Sequence, residues 1–312
     1  MRMNVRMTVV AALALALVAG GCSRGGRTDR LDIVLVSKAL DSEFWQRVKT
    51  GAEEAARAHQ DVRLAVLAPE REVNIDQQVS ILEDQILKKV SALAVVPAGV
   101  SEVIPVLDKA TAAGIPVLLV DTDVPWQKKL SYIGTDNRLG GRLAGEYIVK
   151  ALDGKGKVAV IRGVLGVGTH EDRLAGFKEA VAQAPGIEVV SVQPANSERA
   201  LGMTVMENLL TSHPEIRGVF ATNDQMGLGA MEAIGARGLN GKIVLVGFDA
   251  TREAARAIAA GQMSAVVAQH PEVMGRRAVE EAIKAARHQP VETRVDTGTT
   301  LVTKENAGQF MK

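Results

Sequence analysis

Side chains able to grip a hydroxylated ligand recur where short β-branched runs end. Asp121 follows Val117-Leu118-Leu119-Val120, Asn223-Asp224 follow Val219-Phe220-Ala221, Asp249 follows Val246-Gly247-Phe248, and Gln269 follows Val266-Val267-Ala268. Carboxylates and carboxamides in such places suit a polyhydroxylated ligand, because each hydroxyl can donate to an oxygen while accepting from an NH₂ or guanidinium. Charged partners shorten and strengthen those bonds. Each residue also has a local alternative as a helix cap or turn, and Asp224, which opens a helix, is expected to be a cap. Phe44-Trp45 stand beside Asp41 and Ser42 in a chain with only 3% aromatic residues. One ring is expected to fill a core and the other to stack on the C–H face of a sugar ring.

Other chemistries lack their residues. The five histidines, His59, His170, His213, His270 and His288, do not pair with carboxylates at metal-ligand spacing, so no metal or cofactor is expected. No nucleophile is accompanied by a base, which argues against an enzyme. Gly163-Val164-Leu165-Gly166-Val167-Gly168 lacks the Lys-Ser or Lys-Thr of a phosphate loop and reads as a βα turn at a cleft rim. Lys plus Arg, 37, nearly cancels Asp plus Glu, 36, leaving no field to draw the chain onto nucleic acid.

The elements that must position these residues alternate between strand and helix. Strands are predicted at 32–36, 63–67, 92–96 and 116–120, with helices at 43–59, 74–89 and 101–113 between them. The pattern then restarts: strands at 157–161, 187–191, 218–221, 243–247 and 264–268, with helices at 137–151, 170–183, 198–212, 224–237 and 251–260. A last helix at 271–287 precedes a Thr- and Val-rich tail. Such alternation signals βαβ units and parallel sheets, and 312 residues exceed one ordinary core. The fold class is therefore α/β, two doubly wound parallel-sheet lobes with a cleft between them. Ligands in such sheets sit beyond the carboxyl ends of the strands.

The N-terminus reads as an export signal. Arg2 and Arg6 precede the apolar run Met7 to Ala19, which is about 13 residues and short of the roughly 20 a spanning helix needs. Ala19-Gly20-Gly21-Cys22 resembles a bacterial lipobox, in which the cysteine is acylated and becomes the mature N-terminus. Cys22 is the only cysteine, so it staples no fold. Residues 23 to 30, rich in Gly and Arg, read as a tether.

Taken together the residues resemble the ribose-type periplasmic binding proteins, the type I family whose fold is shared by the ligand-binding cores of LacI-type repressors. The resemblance rests on Asp136-Asn137-Arg138-Leu139-Gly140-Gly141, Gln193-Pro194-Ala195, Met206 to Pro214, Val219 to Ala230, and Val246-Gly247-Phe248-Asp249. It implies a sugar gripped by Phe44 and Trp45 with Ser42 before them, by Asp121, by Arg173 ahead of Gly176-Phe177, and by Asn223, Asp249 and Gln269. It also implies three hinge crossings, near Gly134 to Asp136, near Gln269 and near Arg294 to Gly298. The expected division is 1–21 signal, 22–30 tether, 31–134 with 270–294 as the first lobe, and 135–269 with 295–312 as the second.

The implied function is a solute-binding lipoprotein of an ABC-type importer, a monomer that takes a monosaccharide or polyol and presents its closed form to a membrane permease. An alternative is a sensor that presents the closed form to a chemoreceptor or sensor kinase. A repressor needs a DNA-binding domain where this chain carries the export signal. The chain departs from the ribose pattern at three places: Ser42 replaces an asparagine, Thr122 a second arginine, and Ser197 an aromatic. Those departures point away from ribose toward a larger or differently hydroxylated ligand.

Overall fold

A computed structural model describes residues 30–311. The expected signal at 1–21, the acylation site Cys22 and all but the last residue of the tether lie outside the described residues.

Two six-stranded sheets carry the molecule. The first lobe begins β1 (Leu31–Val36), α1 (Glu43–Arg57), β2 (Val62–Leu67), α2 (Ile75–Leu87), β3 (Ala92–Val95), α3 (Val103–Ala112), β4 (Val117–Val120) and β5 (Tyr132–Gly134). The second follows with α4 (Asn137–Ala151), β6 (Lys155–Arg162), α5 (Gly168–Val181), β7 (Gly186–Pro194), α6 (Arg199–Ser212), β8 (Ile216–Ala221), α7 (Asp224–Ala236), β9 (Val244–Asp249), α8 (Arg252–Ala259) and β10 (Ala265–Ala268). The chain then returns to the first lobe through α9 (Pro271–Ala286) and β11 (Arg294–Asp296), and ends in the second with β12 (Thr300–Val302) and a 3₁₀ turn. The strand orders are β11-β5-β4-β3-β1-β2 and β12-β10-β9-β8-β6-β7. All pairings are parallel except β10 with β12.

Alternation along the strands explains why both faces need helices. Ile33 and Leu35 join the apolar cluster under α1 and α9, whereas Val34 and Val36 join the one under α2 and α3. A fully buried parallel strand therefore reads as an unbroken apolar run.

The first sheet is completed late in the chain, where α9 packs on α1 and β11 extends the sheet. The third crossing follows Asp296, because β11 pairs with β5 through Asp296 and Gly134. The short strands β5, β11 and β12 escape a reading based on runs because each is only three residues long and is defined by its pairing at a crossing.

Three helix pairs meet through reciprocal glycines. A Cβ on Gly51 of α1 would overlap the backbone of Glu272 in α9, and one on Gly275 would overlap that of Val48. Gly141 of α4 meets the backbone of Arg173 and Gly176 of α5 that of Arg138, while Gly202 of α6 meets Met226 and Gly229 of α7 meets Arg199. Backbone-to-backbone approach of this kind leaves no room for a side chain.

Candidate functional site

A cavity of about 270 Å³ lies between the lobes at the carboxyl ends of the strands. All eight residues expected at the site line it: Ser42, Phe44, Trp45, Asp121, Arg173, Asn223, Asp249 and Gln269.

On the first-lobe side, the turn after β1 delivers Ser42 to the N-cap position of α1, where its extended backbone starts the helix without a side-chain cap bond. Phe44 and Trp45 follow in the first turn of α1, edge to face with centroids 4.8 Å apart. Both rings line the cavity and both belong to the core under α1 and α9. The Trp45 indole N–H donates to Glu72 at 3.0 Å, which fixes the ring plane.

Asp121 ends β4 with a left-handed backbone, φ +58°. Its Oδ2 accepts from the Thr122 hydroxyl at 2.8 Å and lies 3.4 Å from the Lys38 ammonium. Thr122 thus braces the carboxylate, and the cation beside Asp121 is Lys38, which the sequence reading missed. Lys38 is 2% exposed, lines the cavity and stands 5.8 Å from the Trp45 ring centre. The available signal was its place just past the end of β1, the same strand-end rule that found Asp121.

On the second-lobe side, Arg173 is anchored on three sides. Its Nε donates to Asn137 Oδ1 at 2.8 Å and its Nη1 to the Thr222 carbonyl at 2.7 Å, while its guanidinium lies 3.7 Å from the centre of the Phe248 ring. Asp249 Oδ1 is 3.9 Å away. Gln269 Nε2 donates to the same Asp249 oxygen at 2.7 Å, whereas Gln269 Oε1 is buried with no hydrogen-bond partner among the described residues. Burial pushes the Asp249 carboxyl up to about 6, against the opposing pull of the Arg173 cation and the Gln269 amide.

Asn223, not Asp224, caps α7, accepting from the Met226 N–H at 3.0 Å. Asp224 is the first helical residue and turns inward, where Oδ2 accepts from the Thr251 N–H at 2.7 Å and hydroxyl at 2.9 Å. Burial and the neighbouring Asp249 raise its carboxyl well above the usual range. It secures the turn after β9, in which Asp249 and Ala250 both carry positive φ.

Ser197 and His170 complete the second-lobe wall. Burial, then the cations Arg173, Lys38 and Arg162, hold the His170 ring well below its ordinary pKa, so it is neutral. The cleft therefore opposes Lys38 and Arg173 to Asp121 and Asp249, with apolar rings on one side. That inventory has the chemistry to bind and orient a neutral, hydroxyl-rich molecule. Among the described residues no group of three His, Cys, Asp or Glu could hold a metal ion, and no helix is long and apolar enough to cross a membrane.

Comparison with known proteins agrees with this geometry. The family model described as a periplasmic binding protein domain matches residues 33–290. The ribose import binding protein RbsB of Escherichia coli is 32% identical over 305 residues, covering 98% of this chain and 100% of that protein. The D-ribose/D-allose-binding protein of Pseudomonas aeruginosa is 37% identical over 70% of each chain. Among solved structures, an ABC transporter solute-binding protein of Bacillus halodurans with bound myo-inositol superposes with a TM-score of 0.86 at 28% identity, covering 92% of this chain and 99% of that one. One from Actinobacillus succinogenes with bound D-allose gives 0.83 at 33% identity, covering 89% and 99%. Two α/β lobes, a strand-end cleft and near full-length similarity place the chain in the periplasmic binding protein family, in its ribose-type branch with the type I fold, whose members are solute-binding proteins and not enzymes.

Proposed function

We propose that this protein is the solute-binding lipoprotein of an ABC-type sugar importer and that it closes its lobes on a monosaccharide or related polyol. The observation that carries the reading is the convergence of strand-end polar groups from both lobes on one cavity walled by Phe44 and Trp45. In this reading the rings take the C–H face of the sugar, Asp121 and Asp249 accept from its hydroxyls, and Lys38, Arg173 and Asn223 donate to them. The free Gln269 Oε1 accepts one more. A ligand that touches both lobes only when they are closed shifts the hinge equilibrium toward closure, and closure is what a permease reads. Relatives that import ribose or hold allose or myo-inositol support the ligand class.

A thermal-shift screen of the mature chain against pentoses, hexoses and polyols tests the reading, since a ligand of the native state raises its melting temperature. The expected result is a response to at least one sugar or polyol. Calorimetry on Asp249→Ala should then show affinity reduced by about 10- to 100-fold, because the ligand hydroxyl and the Arg173 cation lose their partner. Undiminished affinity would remove Asp249 from the site. Acylation is tested separately: the intact protein should fractionate with membranes and Cys22→Ala should release it.

A further inference from the structure

Three neighbouring strand ends in the second sheet, in the order β8-β6-β7, carry a side-chain bridge beside the sugar grip. Thr222 follows β8, Gly163 follows β6, and Ser197 lies in the loop after β7. His170, in the first turn of α5, spans all three. Its Nδ1 is 2.9 Å from Thr222 Oγ1 and its Nε2 3.1 Å from Ser197 Oγ. The ring lies so closely over Gly163 that a Cβ there would overlap it. Thr222 Oγ1 also accepts from the Gly163 N–H at 3.1 Å, which locks the far end of the bridge.

The loop bearing Ser197 is strained to serve this contact. Asn196 and Ser197 carry φ of +50° and +64° in succession, a conformation that L-residues adopt at a cost and keep only where the surroundings hold it. A hydroxyl can make up to three hydrogen bonds. His170 takes one, and Ser197 lines the cavity.

Position along the sheet says which part of a ligand Ser197 can meet. Asn223, Asp249 and Gln269 sit at the ends of β8, β9 and β10, so the ring hydroxyls are gripped there. Adjacent strands are ~4.8 Å apart, which puts the end of β7 roughly 10 Å to the side of β8. Only a substituent that projects beyond the ring, across the end of β6, reaches the Ser197 hydroxyl.

We propose that the His170–Ser197 bridge is the specificity-determining element of this cleft, selecting a hexopyranose, whose hydroxymethyl group it reads, over the pentose that lacks that group. The inference rests on the sugar reading above. Ser197 touches the ligand and His170 acts as a positioning residue, holding the serine hydroxyl in one direction with a neutral ring that has no free nitrogen.

The test is calorimetry on the wild type, Ser197→Ala and His170→Phe with three matched pairs: D-glucose and D-xylose, D-galactose and L-arabinose, D-allose and D-ribose. In each pair the pentopyranose is the hexopyranose without its hydroxymethyl group. Ser197→Ala keeps the Cβ and the same backbone cost, and His170→Phe keeps a ring over Gly163 while deleting both hydrogen bonds. In the pair the wild type binds best, the hexose should be favoured by about tenfold or more. Both variants should cut that preference to about threefold or less by weakening the hexose far more than the pentose, a ratio that a merely structural loss does not move. A wild type indifferent to the hydroxymethyl group, or variants that weaken both members in parallel, would overturn the inference alone. A wild type that binds no member of any pair would overturn this inference, and the sugar reading falls with it if the thermal-shift screen also finds no sugar or polyol.

Discussion

Asp249 couples proton uptake to two properties with opposite signs. Its folded carboxyl titrates near 6, above the ordinary 3.8, because burial disfavours the charged form. Between those values the folded chain holds a proton that the unfolded chain has released, so its contribution to stability is fully present below 3.8 and is lost as pH rises through about 6. His170 works in the other sense, since a ring held neutral favours the folded state above its unfolded pKa and ceases to do so as pH falls. The comparison is therefore made between wild type and Asp249→Asn. The variant should gain on the order of 1–3 kcal/mol relative to wild type between pH 4 and pH 7, read from denaturant midpoints at each pH. Ligand affinity should run the opposite way. A hydroxyl donates to the carboxylate form, so wild-type affinity should fall by up to about tenfold per pH unit below 6, and calorimetry on Asp249→Asn should show a flat profile.

At this scale the residues legible in the sequence are those whose role follows from where a strand stops: Asp121, Asn223, Asp249 and Gln269. Lys38 obeys the same rule, yet its burial becomes intelligible only once β4 brings Asp121 beside it. His170 and Asn137 lie within helices, and their importance comes from partners on other elements. No spacing announces such partners.

The α4–α5 contact positions the site at the scale of elements. Gly141 lies against the backbone of Arg173 itself, so the helix crossing fixes the root of the side chain whose guanidinium reaches Thr222 and Asp249. Gly141→Ala should destabilise the fold by about 1–3 kcal/mol through overpacking. It should also weaken ligand binding, because α5 must move to admit the methyl group. A chemical denaturation curve paired with a ligand titration checks both. Gly235→Ala on α7 is the control, since the nearest atoms to an added Cβ there are those of the Asn240 side chain, at 3.4 Å or more. The α-helices and the long strands among the described residues follow from alternation in the sequence, whereas the glycine crossings do not, because a glycine's close neighbour is set by the partner helix.

The lobes of the whole molecule also touch at the rim of the ligand cavity. Arg71, after β2, faces Glu198, before α6, at 3.5 Å. Glu43, at the start of α1, accepts from the first N–H of α8 at 3.1–3.2 Å and pairs with the Arg252 guanidinium. Both contacts join one lobe to the other across the cleft mouth. Exposed pairs contribute about 0.2–1 kcal/mol each and are screened by salt. Combining Glu43→Gln with Arg71→Gln should therefore speed ligand release roughly three- to tenfold at low ionic strength. Stopped-flow measurements should also find the wild-type release rate more salt-dependent than that of the variant.

The three crossings bear on the moment at which the chain can fold. Helix α1 is covered by α9, and the first sheet gains its edge from β11, both made after the entire body of the second lobe. While the polypeptide is still emerging from the ribosome, its first half has apolar surface on Val48, Ala52 and Ala55 with nothing to cover it. Closing that core means joining distant parts of the chain, which is slow. A protein destined for the far side of a membrane gains from such a delay, because a thread can pass a narrow translocation pore and a finished lobe cannot.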